Sequence, residues 1–311
     1  MSHTATANRH LAHHFQSPEQ QLAAGKLGMW IFLVTEVLFF SGLFVAYAVY
    51  RSLHPEVFVD AHCYLSTTLG GLNTIVLLLS SLTMAWAVRC AQLGQRQGLL
   101  WCLAITLACA GLFLGVKAVE YSTKWQEGLL WAGSYDPHHG EVAAFSKPLL
   151  VLSAPAATAL VLAALLLVFS KLRKSTSVAI LSLAVMATSI AFAVGIGIGL
   201  GVTHYEAHGH EAAGHAHARE SGHAEKPPDA AASDAASVNF TGVFFSIYYA
   251  MTGVHALHIL GGMGVIAWLI FGAAEGRFGP QYANPVDYVG LYWHLVDIVW
   301  IYLFPLLYLI R

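Results

Sequence analysis

Charge is what this sequence has least of. Lys, Arg, Asp and Glu together make up 10% of the 311 residues, against about 25% in an average soluble domain. A water-soluble fold is excluded on that ground, and a formal net charge of -2 leaves no basic surface for nucleic acid. Cysteine is scarce as well. Cys102 and Cys109 share one apolar run, Cys90 stands at the end of another and Cys63 sits alone in a connection. Without a CxxC, neither a redox dithiol nor a thiolate metal cluster is indicated. HExxH and CxxCH are missing too, which removes two common signatures for catalytic zinc and attached haem. The first 26 residues are polar and hold no apolar core of the signal-peptide kind.

What is present is apolar length. Hydrophobic residues reach 57% and mean hydropathy is +0.62. About seven stretches approach or exceed the ~20 residues needed to cross hydrocarbon. They lie near Leu27–Tyr50, Leu69–Val88, Leu99–Val119, Leu149–Ser170, Val178–Val202, Phe240–Phe271 and Tyr288–Ile310. The predicted fold class is an all-α integral membrane protein of about seven transmembrane helices. Its segments are a polar N-terminal arm (1–26), three helices (27–121), an external loop (122–148), a helical hairpin inserted after the third helix (149–202), an external histidine-rich loop (203–238) and two last helices (239–311).

Lys and Arg in short loops set orientation. Arg89 and Arg96 lie between helices 2 and 3, Lys171, Arg173 and Lys174 in the hairpin turn, and Arg277 between helices 6 and 7. With Arg9 and Lys26 they mark the cytoplasmic side. The N-terminus is therefore expected inside and the C-terminus outside.

Titratable side chains inside such runs cost about 2.5–3.5 kcal/mol each on insertion scales. Glu36 falls ten residues into helix 1, ~15 Å deep in a ~30 Å core. It reads either as a proton-linked or lipid-adjacent carboxyl, or as a protonated acid bonded to a neighbouring helix. His255 and His258 stand one turn apart on helix 6, with glycines that admit close helix approach. Metal ligation by this pair needs a third ligand, for which only His294 offers itself; the stronger expectation is a hydrogen-bonded interhelical pair with Glu36 or His294. His294 and Asp297, at i and i+3, face one neighbour. Lys117 and Glu120 at the end of helix 3 are expected to pair and to anchor that end at the outer interface. The run His204, His208, His210, His215 and His217 is either a solvated loop or a weak copper or zinc site; His3, His10, His13 and His14 invite the same two readings.

Five stretches together resemble the cytochrome c oxidase subunit III family of the haem-copper oxidases. They are Leu27-Gly28-Met29-Trp30 with Thr35 to Gly42, Leu72-Asn73-Thr74 with Leu78 to Ser81, Gly111-Leu112-Phe113 with Lys117 to Tyr121, Thr252 to His258, and Tyr292 to Trp300. The resemblance implies a multi-pass subunit of a bacterial cytoplasmic (inner) membrane. That subunit has no catalytic residues, haem or copper of its own, and the cofactors lie in partner subunits. It also implies subunits I and II as partners, cytochrome c as electron donor, bound phospholipid, and a part in assembly, proton uptake and durability. Trp30, Asp287, Trp293 and Arg277 become expected lipid or subunit contacts. The two helices that precede the glutamate helix in the longest members are not found, and with them one wall of the family's lipid cleft. The inserted hairpin, with Gly195, Gly197, Gly199 and Gly201, is expected to replace that wall or dock a partner. Alternatives are the same subunit in a quinol oxidase or nitric oxide reductase and, from another class, a divalent-metal transporter or sensor using the histidine loop.

Overall fold

In lipid every backbone N–H and C=O must find its partner within the protein, so an apolar run of this length folds as a helix. The computed structural model, which describes residues 15–131, 134, 146–217 and 230–310, has eight helices and no strand among them. They are α1 (Pro18–Leu53), α2 (Pro55–His62), α3 (Thr67–Gln92), α4 (Arg96–Gln126), α5 (Lys147–Arg173), α6 (Thr176–His217), α7 (Ala230–Ala274) and α8 (Asn284–Tyr308). All but α2 are long and apolar enough to cross a membrane. Each of the seven predicted runs lies largely within one of them. His3, His10, His13 and His14 lie outside the described residues.

Local chemistry sets several boundaries. Ser17, Ser66 and Ser146 cap α1, α3 and α5, each hydroxyl accepting from a backbone N–H three residues on. Gly94, at φ +70°, makes the tight turn between α3 and α4. Arg96 then reaches across the bundle: its Nε donates to the Ala273 carbonyl at 3.0 Å and its Nη2 to that of Ala274. Those carbonyls end α7 and have no partner within the helix.

Two connections differ from the sequence expectation. The stretch between helices 1 and 2 holds α2, which buries Val57, Phe58 and Ala61. Phe58 packs edge-on against Tyr47 of α1 and Phe244 of α7. The histidine-rich stretch is helical at its start, because α6 runs on through His217, and α7 begins at Ala230.

The core lies among α3, α4, α7 and α8, with Trp293, Trp300, Tyr248 and Tyr308 fully buried. α1 leans on α7 and α8 from one side, and α6 docks on α4 and α7. The α4–α6 seam is built on glycine. A Cβ on Gly111 would meet the Thr188 carbonyl oxygen at 2.6 Å, and one on Gly199 would meet Val119 at 2.9 Å. Added to Gly115 or Gly195, a Cβ would overlap the carbonyl oxygens of Phe192 and Leu112 respectively. Of the four predicted packing glycines only Gly195 and Gly199 serve, since Gly197 and Gly201 point to open space. Residues four apart share a helix face and residues two apart do not. The hairpin therefore packs on the core through α6, while α5 presents Leu162, Leu165 and Leu172 outward.

Gly115→Leu should separate α4 from α6, because backbone and not a flexible side chain blocks the new atoms. Overpacking costs about 1–3 kcal/mol even where side chains can yield. A lowered thermal midpoint of the purified protein is expected for Gly115→Leu and an unchanged one for Gly197→Leu.

Candidate functional site

Glu36 and His258 meet. Glu36 Oε2 lies 2.9 Å from His258 Nε2, across the contact of α1 with α7. His258 Nδ1 lies 2.8 Å from the Val254 carbonyl oxygen. A carbonyl only accepts, so Nδ1 carries a hydrogen. One proton then remains for the Nε2–Oε2 contact. It sits on the carboxyl, which donates to a neutral ring, or on the ring, which donates to a carboxylate. Either form is neutral overall, which suits the apolar surroundings. The Phe40 ring lies tilted against the imidazole, its centroid 5.0 Å away, and Tyr292 donates its hydroxyl to the His258 carbonyl at 2.9 Å. The pair stays about one-fifth exposed at the margin of the bundle.

Lys117 and Glu120 pair as expected, at 2.9 Å, but inside the bundle. They are 4% and 1% exposed, which corrects the interfacial-anchor reading. The physical reason is a complete set of internal partners. The ammonium donates to Glu120 Oε2, to Tyr308 Oη at 2.7 Å and to Tyr248 Oη at 3.3 Å. Both tyrosines pass their own hydrogens to Glu120 Oε1. Three ammonium hydrogens and the carboxylate are thereby satisfied, and the rings of Tyr121, Tyr248, Trp300 and Tyr308 lie 5.0–5.4 Å from Nζ. Moving the lysine to the interface would strand a buried carboxylate.

His294 and Asp297 both face α3, as their spacing predicts. Ser81 Oγ lies 2.7 Å from His294 Nδ1, so His294 is not the third member of a histidine cluster. The Ser81 hydroxyl is also near the Asp297 carboxyl, without closing a hydrogen bond to either oxygen. His255 diverges from His258. It is fully buried between the rings of Phe113 at 5.8 Å and Trp300 at 5.4 Å. The two stand one turn apart, yet the 60° offset of an i, i+3 pair is enough to give each its own neighbour.

Trp293, expected at a lipid or subunit contact, is buried instead. Its ring presses on Gly262 and its Nε1 donates to Ser80 Oγ at 3.0 Å. Glycine at 262 lets the indole lie against the α7 backbone. Trp30 is 60% exposed, Asp287 is half-buried in the first turn of α8, and Arg277 pairs with Glu275 over the Phe271 ring. Glu206, two residues beyond His204 on α6, accepts from the Ser66 hydroxyl at 2.8 Å. The side chains of His208, His210, His215 and His217 lie outside the described residues. Among the described residues no three His, Cys, Asp or Glu side chains converge as metal ligands would.

Sequence reasoning gave no role to Ser81 or Tyr292, although both lie in the stretches quoted above, and it missed Tyr248 and Tyr308. Spacing offered a clue for Tyr248, which precedes His255 by two turns on the same stripe of α7.

Removing one partner of a buried ion pair costs about 3–5 kcal/mol, because the other charge is left alone. Lys117→Met is therefore expected to lose most of the assembled protein. Lys117→Met with Glu120→Gln should recover part of it, measured as the fraction folded in detergent by size exclusion.

The comparisons with known proteins agree with one another. The family profile for cytochrome c oxidase subunit III matches residues 8–126 and 231–310. Similar relatives include a probable cytochrome c oxidase subunit 3 of Nocardia farcinica, 41% identical over 66 residues, 21% of this chain and 32% of that one. Another is cytochrome c oxidase subunit 3 of Thermostichus vulcanus, 39% identical over 71 residues, 22% of this chain and 35% of the relative. A third is haem-copper oxidase subunit I+III of Aeropyrum pernix, 40% identical over 70 residues, 22% of this chain and 9% of the relative. The aligned stretch spans about a third of the length of the two separate subunit 3 relatives. The hairpin α5–α6 falls between the two matched segments. With seven membrane-length helices among its described residues and a profile match over more than half its length, this chain belongs to the cytochrome c oxidase subunit III family.

Proposed function

We propose that this chain is the non-catalytic subunit III of a respiratory haem-copper terminal oxidase, working in assembly, proton uptake and durability of the catalytic subunit. One observation carries the reading. The two segments matched by the family profile contain α1, α4 and α8 and all but the first residue of α7, and these helices hold the titratable groups described above, buried (Lys117, Glu120, His255, Asp297) and half-buried (Glu36, His258, His294). Haem and copper belong, on this reading, to the partner chains, which reduce oxygen to water with electrons from cytochrome c. The Aeropyrum pernix relative, named as a subunit I+III, supports subunit I as the immediate partner. Subunit II, bound phospholipid, a bacterial cytoplasmic membrane and an inward N-terminus complete the proposal.

The chemistry of this chain's own residues fits a supporting part. Glu36 and His258 hold one proton between them at the edge of the bundle, where it is neutral to the bilayer yet able to move between two heavy atoms. The Lys117–Glu120 cluster has all its donors engaged, which suits it to fixing helices and not to exchanging protons.

Glu36→Gln keeps a hydrogen-bonding partner for His258 Nε2 but cannot carry the shared proton. The expected result is an initial rate of oxygen consumption close to that of the parent, followed by fewer turnovers before inactivation. Immediate loss of oxygen reduction in a fully assembled complex would contradict the supporting role. Removing residues 208–225 separates this reading from metal transport. Unchanged assembly and oxygen consumption is expected, and lost metal uptake by cells would favour a transporter. The redox centres of the co-purifying chains distinguish cytochrome c oxidase from a quinol oxidase or nitric oxide reductase.

A further inference from the structure

Three polar side chains in the middle of the bundle have no protein partner among the described residues. Both side-chain polar atoms of Asn73, both ring nitrogens of His255 and both carboxyl oxygens of Asp297 are buried and unbonded. The three residues are 0%, 0% and 2% exposed. They come from α3, α7 and α8, and the register of these helices sets them at neighbouring heights.

α3 and α8 run antiparallel. Gly70 lies against Phe304, Thr74 Oγ1 accepts from Trp300 Nε1 at 3.1 Å, Ser80 from Trp293 at 3.0 Å, and Ser81 meets His294. Asn73, next to Thr74, therefore stands in the layer of Trp300. On the α7 side, Gly262 packs on Trp293 and His255 on Trp300, which puts His255 in that layer too. Asp297 is three residues before Trp300 on α8, about 4.5 Å along the axis. Six unbonded polar atoms thus fall in two adjacent layers of the bundle, at and just below the height of Trp300.

An unsatisfied buried polar group costs about 1–3 kcal/mol, and folded proteins avoid that by pairing such groups directly or through ordered water. Direct pairing is not what the side chains do. The donor set does not suit a metal, since an amide, one imidazole and one carboxylate are not joined by a third His, Cys, Asp or Glu within reach. Water satisfies all three at once. It donates to an imidazole nitrogen, to the amide oxygen and to the carboxyl, and it accepts from the amide N–H.

We propose that the layer around Trp300 is an internal water site, in which ordered water bridges His255 to Asn73 and continues to Asp297. It adjoins the closed Lys117–Glu120 cluster, since Trp300 packs on both His255 and Lys117, but shares no hydrogen bond with that cluster or with the Glu36–His258 pair. It gives the two buried titratable groups His255 and Asp297 a partner with which to exchange protons.

Electron cryo-microscopy of the complex purified through this chain, at a resolution that shows ordered water, tests the proposal. The expected map has discrete peaks about 2.7–3.2 Å from His255, Asn73 and Asp297. Direct contact among the three side chains with no density between them would overturn it. So would a single peak at about 2.0–2.2 Å from His255 and Asp297, which would be a cation. Asn73→Leu gives an independent readout. A hydrated site loses one of its partners, so the thermal midpoint should fall by several degrees; a dry, orphaned amide would make the same change raise it, and that rise also overturns the proposal. Where Asn73→Leu does not assemble, the map of the unmodified complex decides.

Discussion

A lysine and a glutamate placed in the dry interior govern how this bundle closes. Neither charge tolerates isolation there, and their remaining partners, Tyr248 and Tyr308, belong to α7 and α8. Satisfying two charges therefore requires α4, α7 and α8 to meet at one height and one rotation. Apolar packing in lipid lacks that selectivity, because a leucine face is served about as well by an acyl chain as by another helix. The polar contacts between α3 and α8 continue the same function down the bundle, with Thr74, Ser80 and Ser81 each tied to one side chain of α8.

The glycine seam between α4 and α6 follows a different logic. Nothing charged joins the hairpin to the core there; backbone meets backbone, and the contact holds by close fit. Such a surface can receive an added helix without disturbing the polar contacts, since Gly111 and Gly115 lie on a face of α4 that Lys117 and Glu120 do not use. The position of the hairpin between the two family-matched segments agrees with this.

Apolar length made the seven crossings legible, because it is a property of a stretch and needs no knowledge of neighbours. The Glu36–His258 pair was legible for a related reason: a carboxyl at mid-depth has few possible partners, and only two histidines were named for it. The burial of Lys117 and Glu120 was not legible. Their enclosing hydroxyls come from residues 131 and 191 positions away from Lys117, and the i, i+3 spacing looks the same at an interface as in a core. The burial of Trp293 was not legible because it depends on the opposing Gly262, which makes room for the indole, and that pairing is visible only once the helices are in register. α2 was missed because eight residues with two acidic side chains look like a polar loop until Phe58 is seen between Tyr47 and Phe244.

The i, i+3 placement of Lys117 and Glu120 bears on how the chain is made. α4 leaves the ribosome long before Tyr248 and Tyr308 exist, so its two charges must enter the bilayer without them. Each alone would add about 2.5–3.5 kcal/mol to insertion. Side by side on one turn they enter as a neutral couple, and the nascent helix can wait in lipid until the later helices arrive. The same two residues thus serve twice, first as a self-neutralising passenger during biogenesis and afterwards as the latch that the last helices close.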